Sequence, residues 1–131
     1  MEITYEQHCV HGIYLHLVFV VAYRRNVLTD SVQSRCRTII EGLASGFSVR
    51  ILEYNGEADH IHMLIKVKPQ SQISKFVNSA KTVTSRLLKK EFPSIKKKLW
   101  QHKFWSRSYF VSSVGESTVA AVKIYIQDQK K

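Results

Sequence analysis

The stretch His60-Ile61-His62-Met63-Leu64-Ile65-Lys66-Val67 carries the reading of the fold. Successive side chains of an extended strand point to opposite faces, so Ile61, Met63, Ile65 and Val67 share one face and His60, His62, Leu64 and Lys66 the other. The first set is wholly apolar and suits burial under helices. The second presents two imidazoles side by side, half of a divalent-metal site. A His-hydrophobe-His pair is also found on many half-buried strands that hold no metal, so its meaning depends on the rest of the chain.

Upstream, Ser48 to Tyr54 reads as a strand and Asn55-Gly56 as the turn of a hairpin with the histidine strand. Gly12 to Tyr23, rich in β-branched and aromatic residues, reads as the first strand, closed by the basic loop Arg24-Arg25-Asn26. Thr29 or Asp30 caps a helix on which Val32, Cys36, Ile39, Ile40, Leu43 and Phe47 recur at helical spacing. Downstream, Pro69 breaks the chain. Ile73, Phe76, Val77, Ala80, Thr84, Leu87 and Leu88 then form a helical stripe that stops before Pro93. Phe104 to Val114 reads as the fourth strand, Ser113-Val114-Gly115-Glu116 as a capping box with Ser117 and Thr118 as alternative caps, and a last helix runs from about Glu116 towards Gln129. The order predicts an α+β, ferredoxin-like fold: a β-α-β-β-α-β antiparallel sheet with two helices on one face. The extra C-terminal helix is left to cover the other face, where His60 and His62 project.

With 131 residues, 44% of them hydrophobic, the chain reads as one domain, 1–131, able to bury a core without staples. Its longest apolar stretch, around Leu17 to Ala22, is too short to span a bilayer, and no signal peptide is visible, so no membrane role is expected. Cys9 and Cys36 match no zinc or redox spacing and read as free buried thiols in a reducing cytoplasm. The net charge of +10 is unevenly spread: Lys66 to Lys103 holds eleven lysines and arginines against one acid, Glu91. A solvated helix face usually mixes both signs, whereas a phosphate-rich partner, above all nucleic acid, accounts for this bias.

On the last helix Val119, Val122 and Ile126 lie on one apolar face, and Tyr125 and Gln129, four apart, flank it. Their ordinary readings are an interfacial tyrosine and a solvated glutamine. The functional reading makes Tyr125 a nucleophile and Gln129 an oxygen ligand that completes a His-His-Gln metal site with His60 and His62. A phenol oxygen attacking a phosphodiester forms a phosphotyrosine and frees a sugar hydroxyl, so a strand can be cut and rejoined without ATP. The metal then acts as a Lewis acid on a phosphate oxygen, and mixed imidazole and amide ligation suits Mg²⁺ or Mn²⁺.

Four segments in order, Tyr23-Arg24-Arg25, Glu53 to His62, Phe104 to Val111 and Tyr125-Ile-Gln-Asp-Gln129, resemble the single-tyrosine HUH transposases of small bacterial and archaeal insertion sequences. The resemblance covers roughly Gly12 to Gln129. It implies a DNA transposase that cleaves and rejoins single-stranded DNA at transposon ends, recognised through subterminal hairpins, by way of a 5′-phosphotyrosine. It implies His60, His62 and Gln129 as ligands of Mg²⁺ or Mn²⁺ and Tyr125 as nucleophile. It also implies a homodimer with each active site shared between subunits. In Gly56-Glu57-Ala58-Asp59, relatives often have a proline just before the Asp-His pair, a departure that alters a turn and no catalytic residue.

Arg24, Arg25, Lys75, Lys81, Arg86 and Lys103 are candidate phosphate contacts. His16 shares parity with Tyr14, Val18 and Val20; it lies beside the site if the first strand neighbours the histidine strand, and is otherwise an interior histidine. His8, His11 and His102 read as surface residues, and Phe104, Trp105 and Tyr109 as core, dimer or base-stacking residues. The rival readings are a replication-initiator or relaxase-type nickase with the same residues, and a non-catalytic single-strand DNA- or RNA-binding ferredoxin-like module.

Overall fold

The computed structural model describes the backbone of residues 4–6, 9–115 and 118–128 and the side chains of residues 12–115 and 118–128. A short hairpin, β1 (Thr4–Glu6) with β2 (Cys9–His11), precedes the main sheet; nothing in the sequence pattern announces it. The main sheet is built from β3 (Ile13–Val20), β4 (Val49–Glu57), β5 (His60–Val67) and β6 (Phe110–Val114) in the order β4-β5-β3-β6, all antiparallel. With α1 (Asp30–Ala44), α2 (Ile73–Glu91) and α3 (Val119–Asp128), this is the expected split β-α-β arrangement with a helix added at the C-terminus.

The sheet divides the apolar residues between its faces. Leu17, Phe19, Ile61, Met63, Ile65 and Val67 are buried with Val32, Cys36, Ile39 and Ile40 of α1 and Phe76, Val77, Ala80 and Leu88 of α2. Removing an aromatic side chain such as Phe76 from a packed layer costs about 3–5 kcal/mol. On the other face a smaller cluster joins Tyr14 and Leu64 to Val119 and Ile126 of α3, with Leu52, Val114 and Val122 around it. Thr29 caps α1 as expected, its side chain accepting from the amide of Val32 at 3.3 Å. Cys36 is a free buried thiol, pushed up to about 12 by that burial against a smaller opposing effect of Tyr54; the side chain of Cys9 lies outside the described residues. No helix among the described residues is long and apolar enough to cross a membrane.

Four local expectations need correction. Asn55-Gly56 is not the hairpin turn: β4 continues to Glu57, which pairs with His60, and the turn is Ala58-Asp59. Gly56 is required for close approach instead, because a Cβ there would sit 2.6 Å from both Gln33 Nε2 and the carbonyl of His60. The fourth strand covers only Phe110–Val114. Phe104 and Trp105 are consecutive and both buried in the helix-side core, which a pleated strand cannot achieve; Trp105 makes an isolated bridge to Val21 and donates its indole N–H to Thr84 Oγ1 at 2.8 Å. Ser113 belongs to β6, and Glu116 and Ser117 lie outside the described residues; of the candidates the start of α3 is marked by Thr118, whose hydroxyl donates to the Gly115 carbonyl at 2.9 Å. The first strand also ends sooner than expected, at Val20. The tight turn Ala22–Arg24 follows, with Tyr23 at φ 56° and Arg24 at φ 51°.

Candidate functional site: two histidines, a carboxylate and a tyrosine helix

His60 and His62 project from β5 on the face that α3 covers, as strand parity requires, with ring centroids 4.8 Å apart. Each has its Nδ1 already engaged. His60 Nδ1 lies 2.7 Å from Asp59 Oδ1, and the other oxygen of Asp59 accepts from Arg24 Nε at 3.0 Å. The left-handed backbone at Tyr23 and Arg24 turns the basic loop back towards that carboxylate. Burial by itself raises the Asp59 carboxyl, but the hydrogen bonds to His60 and Arg24 outweigh it and hold the group below its ordinary value. Asp59 therefore stays ionised and orients His60 with Nε2 pointing away, the carboxylate–imidazole pairing that steers metal-binding or proton-transferring histidines.

His62 Nδ1 lies 3.1 Å from Nε2 of His16. β3 does neighbour β5, Val18 facing His62 across the ladder, so the parity of His16 brings it beside the site. Burial, together with the neighbouring imidazoles His60 and His16, lowers His62 to about 4; burial lowers His16 as well. Both are neutral imidazoles at pH 7. Nε2 of His62 is buried and has no hydrogen-bond partner among the described residues. A buried polar atom without a partner is uncommon in a folded protein and calls for an explanation.

Tyr125 comes from α3 and is half exposed, with its ring edge-on to His62 at 6.0 Å and to His16 at 6.3 Å between centroids. Two residues of β4 hold the helix there. Asn55, opposite His62 in the ladder, donates from Nδ2 to the carbonyls of Ile126 and Gln127 at 3.0 and 3.2 Å, capping groups that a helix end leaves without partners. Gln127 Nε2 donates to Glu53 Oε1 at 3.0 Å. The described contacts thus bring Tyr125 to the histidines of its own chain. Gln129 lies outside the described residues.

The donor set suits a divalent metal in part. Two imidazoles with Nδ1 occupied, one of them with an orphaned Nε2, are what such an ion requires. Among the described residues no group of three or more His, Cys, Asp and Glu converges to hold a metal. Further ligands from beyond these two histidines would be needed to complete such a site.

The basic residues fall into separate places. Lys81, Arg86 and Lys103 line one open groove of about 1330 Å³ between α2 and residues 93–107, together with Lys89, Lys90, Lys96 and Arg107. Lys81 also holds the groove wall: its ammonium donates to the carbonyls of Ser106 and Arg107 at 2.6 and 3.2 Å, and burial lowers its basicity. Lys103 lies 5.2 Å above the ring of Trp100. Arg24 is paired with Asp59 at the histidine end of the sheet, Arg25 is exposed beside it, and Lys75 is exposed on α2 outside the groove. His102 is exposed at the groove rim; His8 and the side chain of His11 lie outside the described residues. The groove is not isolated from the histidines: the amide of Ser106 donates to the carbonyl of Val20, whose ladder partner is His60.

Asp59, Asn55 and Arg107 contribute here without having stood out in the sequence. Asp59 could have been found as the acid directly before the first histidine. Asn55 could not, because the face it takes depends on a bulge in β4.

A family model described as "Transposase IS200 like" matches residues 9–129. The ISDra2 transposase TnpA of Deinococcus radiodurans is 31% identical over 120 residues, 92% of this chain and 86% of the relative. The transposase for insertion sequence element IS200 of Salmonella typhimurium is 36% identical over 114 residues, 87% of this chain and 74% of the relative. Among solved structures, one of a Deinococcus radiodurans protein, also described as a transposase, superposes with a TM-score of 0.78 at 28% identity, covering 96% of this chain and 97% of the other. A REP-associated tyrosine transposase bound to a REP hairpin shares the fold, with a TM-score of 0.65 at 13% identity over 94% of this chain and 69% of the other.

Proposed function

Because the chain belongs to the IS200-like transposase family, we propose that it cuts and rejoins single-stranded DNA at transposon ends with Tyr125 as the nucleophile. The observation that carries this reading is the approach of Tyr125 to His62, a neutral imidazole with an orphaned Nε2 whose neighbour His60 is oriented by Asp59. The phenol oxygen of Tyr125 attacks phosphorus, the bond to the 3′ oxygen breaks, and the products are a 5′-phosphotyrosine and a free 3′ hydroxyl. Attack by such a hydroxyl on the phosphotyrosine reverses these bond changes, so joining consumes no cofactor. Mg²⁺ or Mn²⁺ bound by His60, His62 and Gln129 would supply Lewis-acid polarisation of a phosphate oxygen. Asp59 keeps His60 oriented throughout, and Asn55 keeps the helix end that carries Tyr125 on the sheet.

The groove lined by Arg86, Lys89, Lys103 and Arg107 is the natural phosphate track, and the link from Ser106 to Val20 supports a path from it towards His60. DNA hairpins at the transposon ends are the partner this reading expects; one structural neighbour is bound to a hairpin of its own. A homodimer is supported by the edge strand β6, which carries exposed Phe110 and Val111. A two-fold mate presents a second, identical Tyr14–Leu64 patch, so α3 can make in the partner the packing it makes at home, and the site can be shared between subunits.

The test is a covalent-adduct assay. The protein is incubated with single-stranded copies of the DNA that flanks its gene, with Mg²⁺ or Mn²⁺, and resolved under denaturing conditions. Wild type should give a protein–DNA adduct and Tyr125→Phe none, with DNA binding retained because the ring is unchanged. An adduct from Tyr125→Phe would remove Tyr125 as the nucleophile and make Tyr109 the next candidate.

A further inference from the structure

We propose that His16 is a positioning residue that sets the tautomer of His62: its Nε2 accepts the Nδ1–H of His62, leaving the Nε2 lone pair of His62 facing the reaction centre. Nε2 of His16 and Nδ1 of His62 are 3.1 Å apart, so one of the two carries the shared proton. The ring planes differ by only 14°, and the centroids are 5.3 Å apart, close to the most that two imidazoles with nitrogens at this distance can reach. The rings therefore meet edge to edge in a shared plane, with an N–H of one aimed at the lone pair of the other, rather than lying face on face.

Which ring donates follows from what lies beyond. If His16 donated, His62 would carry its proton on Nε2, a buried N–H with no acceptor among the described residues. If His62 donates, Nε2 presents a lone pair, and a metal ion would satisfy it. Neutral histidine in water favours the proton on Nε2, so the tautomer a metal ligand needs has to be imposed by an acceptor on Nδ1. Asp59 is placed to do this for His60, and His16 does it for His62. The two histidines of one motif thus have different orienting partners, one supplied by its sequence neighbour and the other by β3, across the sheet. His16 is held in turn by the edge of Phe110 at 6.0 Å between centroids.

The inference rests on the metal reading of the site, and its test separates the two. In metal-free, ¹⁵N-labelled full-length protein, long-range ¹H–¹⁵N correlation spectra read the tautomer of each histidine directly. His62 should show a protonated Nδ1 and a bare Nε2. In His16→Leu, which fills the volume beside Leu64 and Phe110 without an acceptor, the proton should move to Nε2 and Mn²⁺ affinity should fall by about 10–100-fold. His16→Gln, whose amide oxygen can accept, should restore the tautomer and bring the affinity back to within a few-fold of wild type. Protonated Nε2 in the wild type, or an unchanged tautomer in His16→Leu, overturns the proposal. Wild-type protein that shows the Nδ1–H tautomer but binds no Mn²⁺ overturns the metal reading and leaves the role of His16 standing.

Discussion

His62 shows how much a single side chain draws from its surroundings: one nitrogen is held by His16, the other is buried without a partner, and the ring is neutral because burial and neighbouring imidazoles oppose its charge. Nothing in the dipeptide context of His62 specifies this. At the same scale, Gly56 is defined by what a methyl group would strike. Gly56→Ala places a Cβ against the His60 carbonyl, which is backbone and cannot swing aside, and against the Gln33 amide that donates to Glu57 at 2.8 Å. Overpacking of this kind costs typically about 1–3 kcal/mol. Urea denaturation should show the midpoint falling with the slope unchanged, and the loss should be larger than for Gly42→Ala, where a Cβ meets nothing within 4 Å.

Among the elements, α3 is the one whose placement makes or breaks the site. Few buried residues hold it, chiefly Val119 and Ile126, and its C-terminal carbonyls depend on Asn55. Asn55→Ala removes two hydrogen bonds worth about 0.5–1.5 kcal/mol each and leaves the carbonyls to water. Amide exchange across 119–128 should speed up roughly 5- to 30-fold while α1 and α2 keep their protection, and adduct formation should weaken with it. Equal acceleration in all three helices would mean that Asn55 supports the whole fold rather than α3.

At the scale of the whole molecule, charge and assembly are the open terms. Replacing Arg86, Lys89, Lys103 and Arg107 with glutamine should flatten the dependence of single-stranded DNA affinity on salt. The logarithmic slope should change by about 0.7 for each phosphate that the protein no longer neutralises. An unchanged slope would put the DNA elsewhere. For assembly, His62→Ala and Tyr125→Phe subunits are each expected to be inactive alone. In a mixed dimer with shared sites, one of the two sites combines intact histidines with an intact tyrosine, so mixing should restore adduct formation. Subunit exchange is verified first with differently tagged chains. With exchange confirmed, absence of recovery means that each site is built within one chain, the arrangement in which α3 sits over its own β4 and β5.

The alternation of β5, the helical stripes of α1 and α2 and the Thr29 cap were all legible in the chain, because each depends on spacing within one element, and together they implied the ferredoxin-like order and the face on which His60 and His62 stand. Tyr125 was legible as the flank of an amphipathic helix. What lay beyond reach required contacts between elements far apart in sequence. Strict alternation from Ile51 would turn Asn55 towards α1 and α2. A β-bulge between Ile51 and Glu53 lets Leu52 and Glu53 both face α3 and reverses the parity beyond, so that Asn55 stands beside His62. The aromatic run beginning at Phe104 had the composition of a strand, yet Thr84 and the helix-side core draw Trp105 inward and break it. Local propensity cannot register a partner 21 residues away. His16 had the right parity and no more, until the pairing of β3 with β5 placed its Nε2 against His62. Periodicity within an element can be read from the chain itself, whereas bulges, cross-sheet hydrogen bonds and helix seating are settled only when the buried polar groups of different elements find one another.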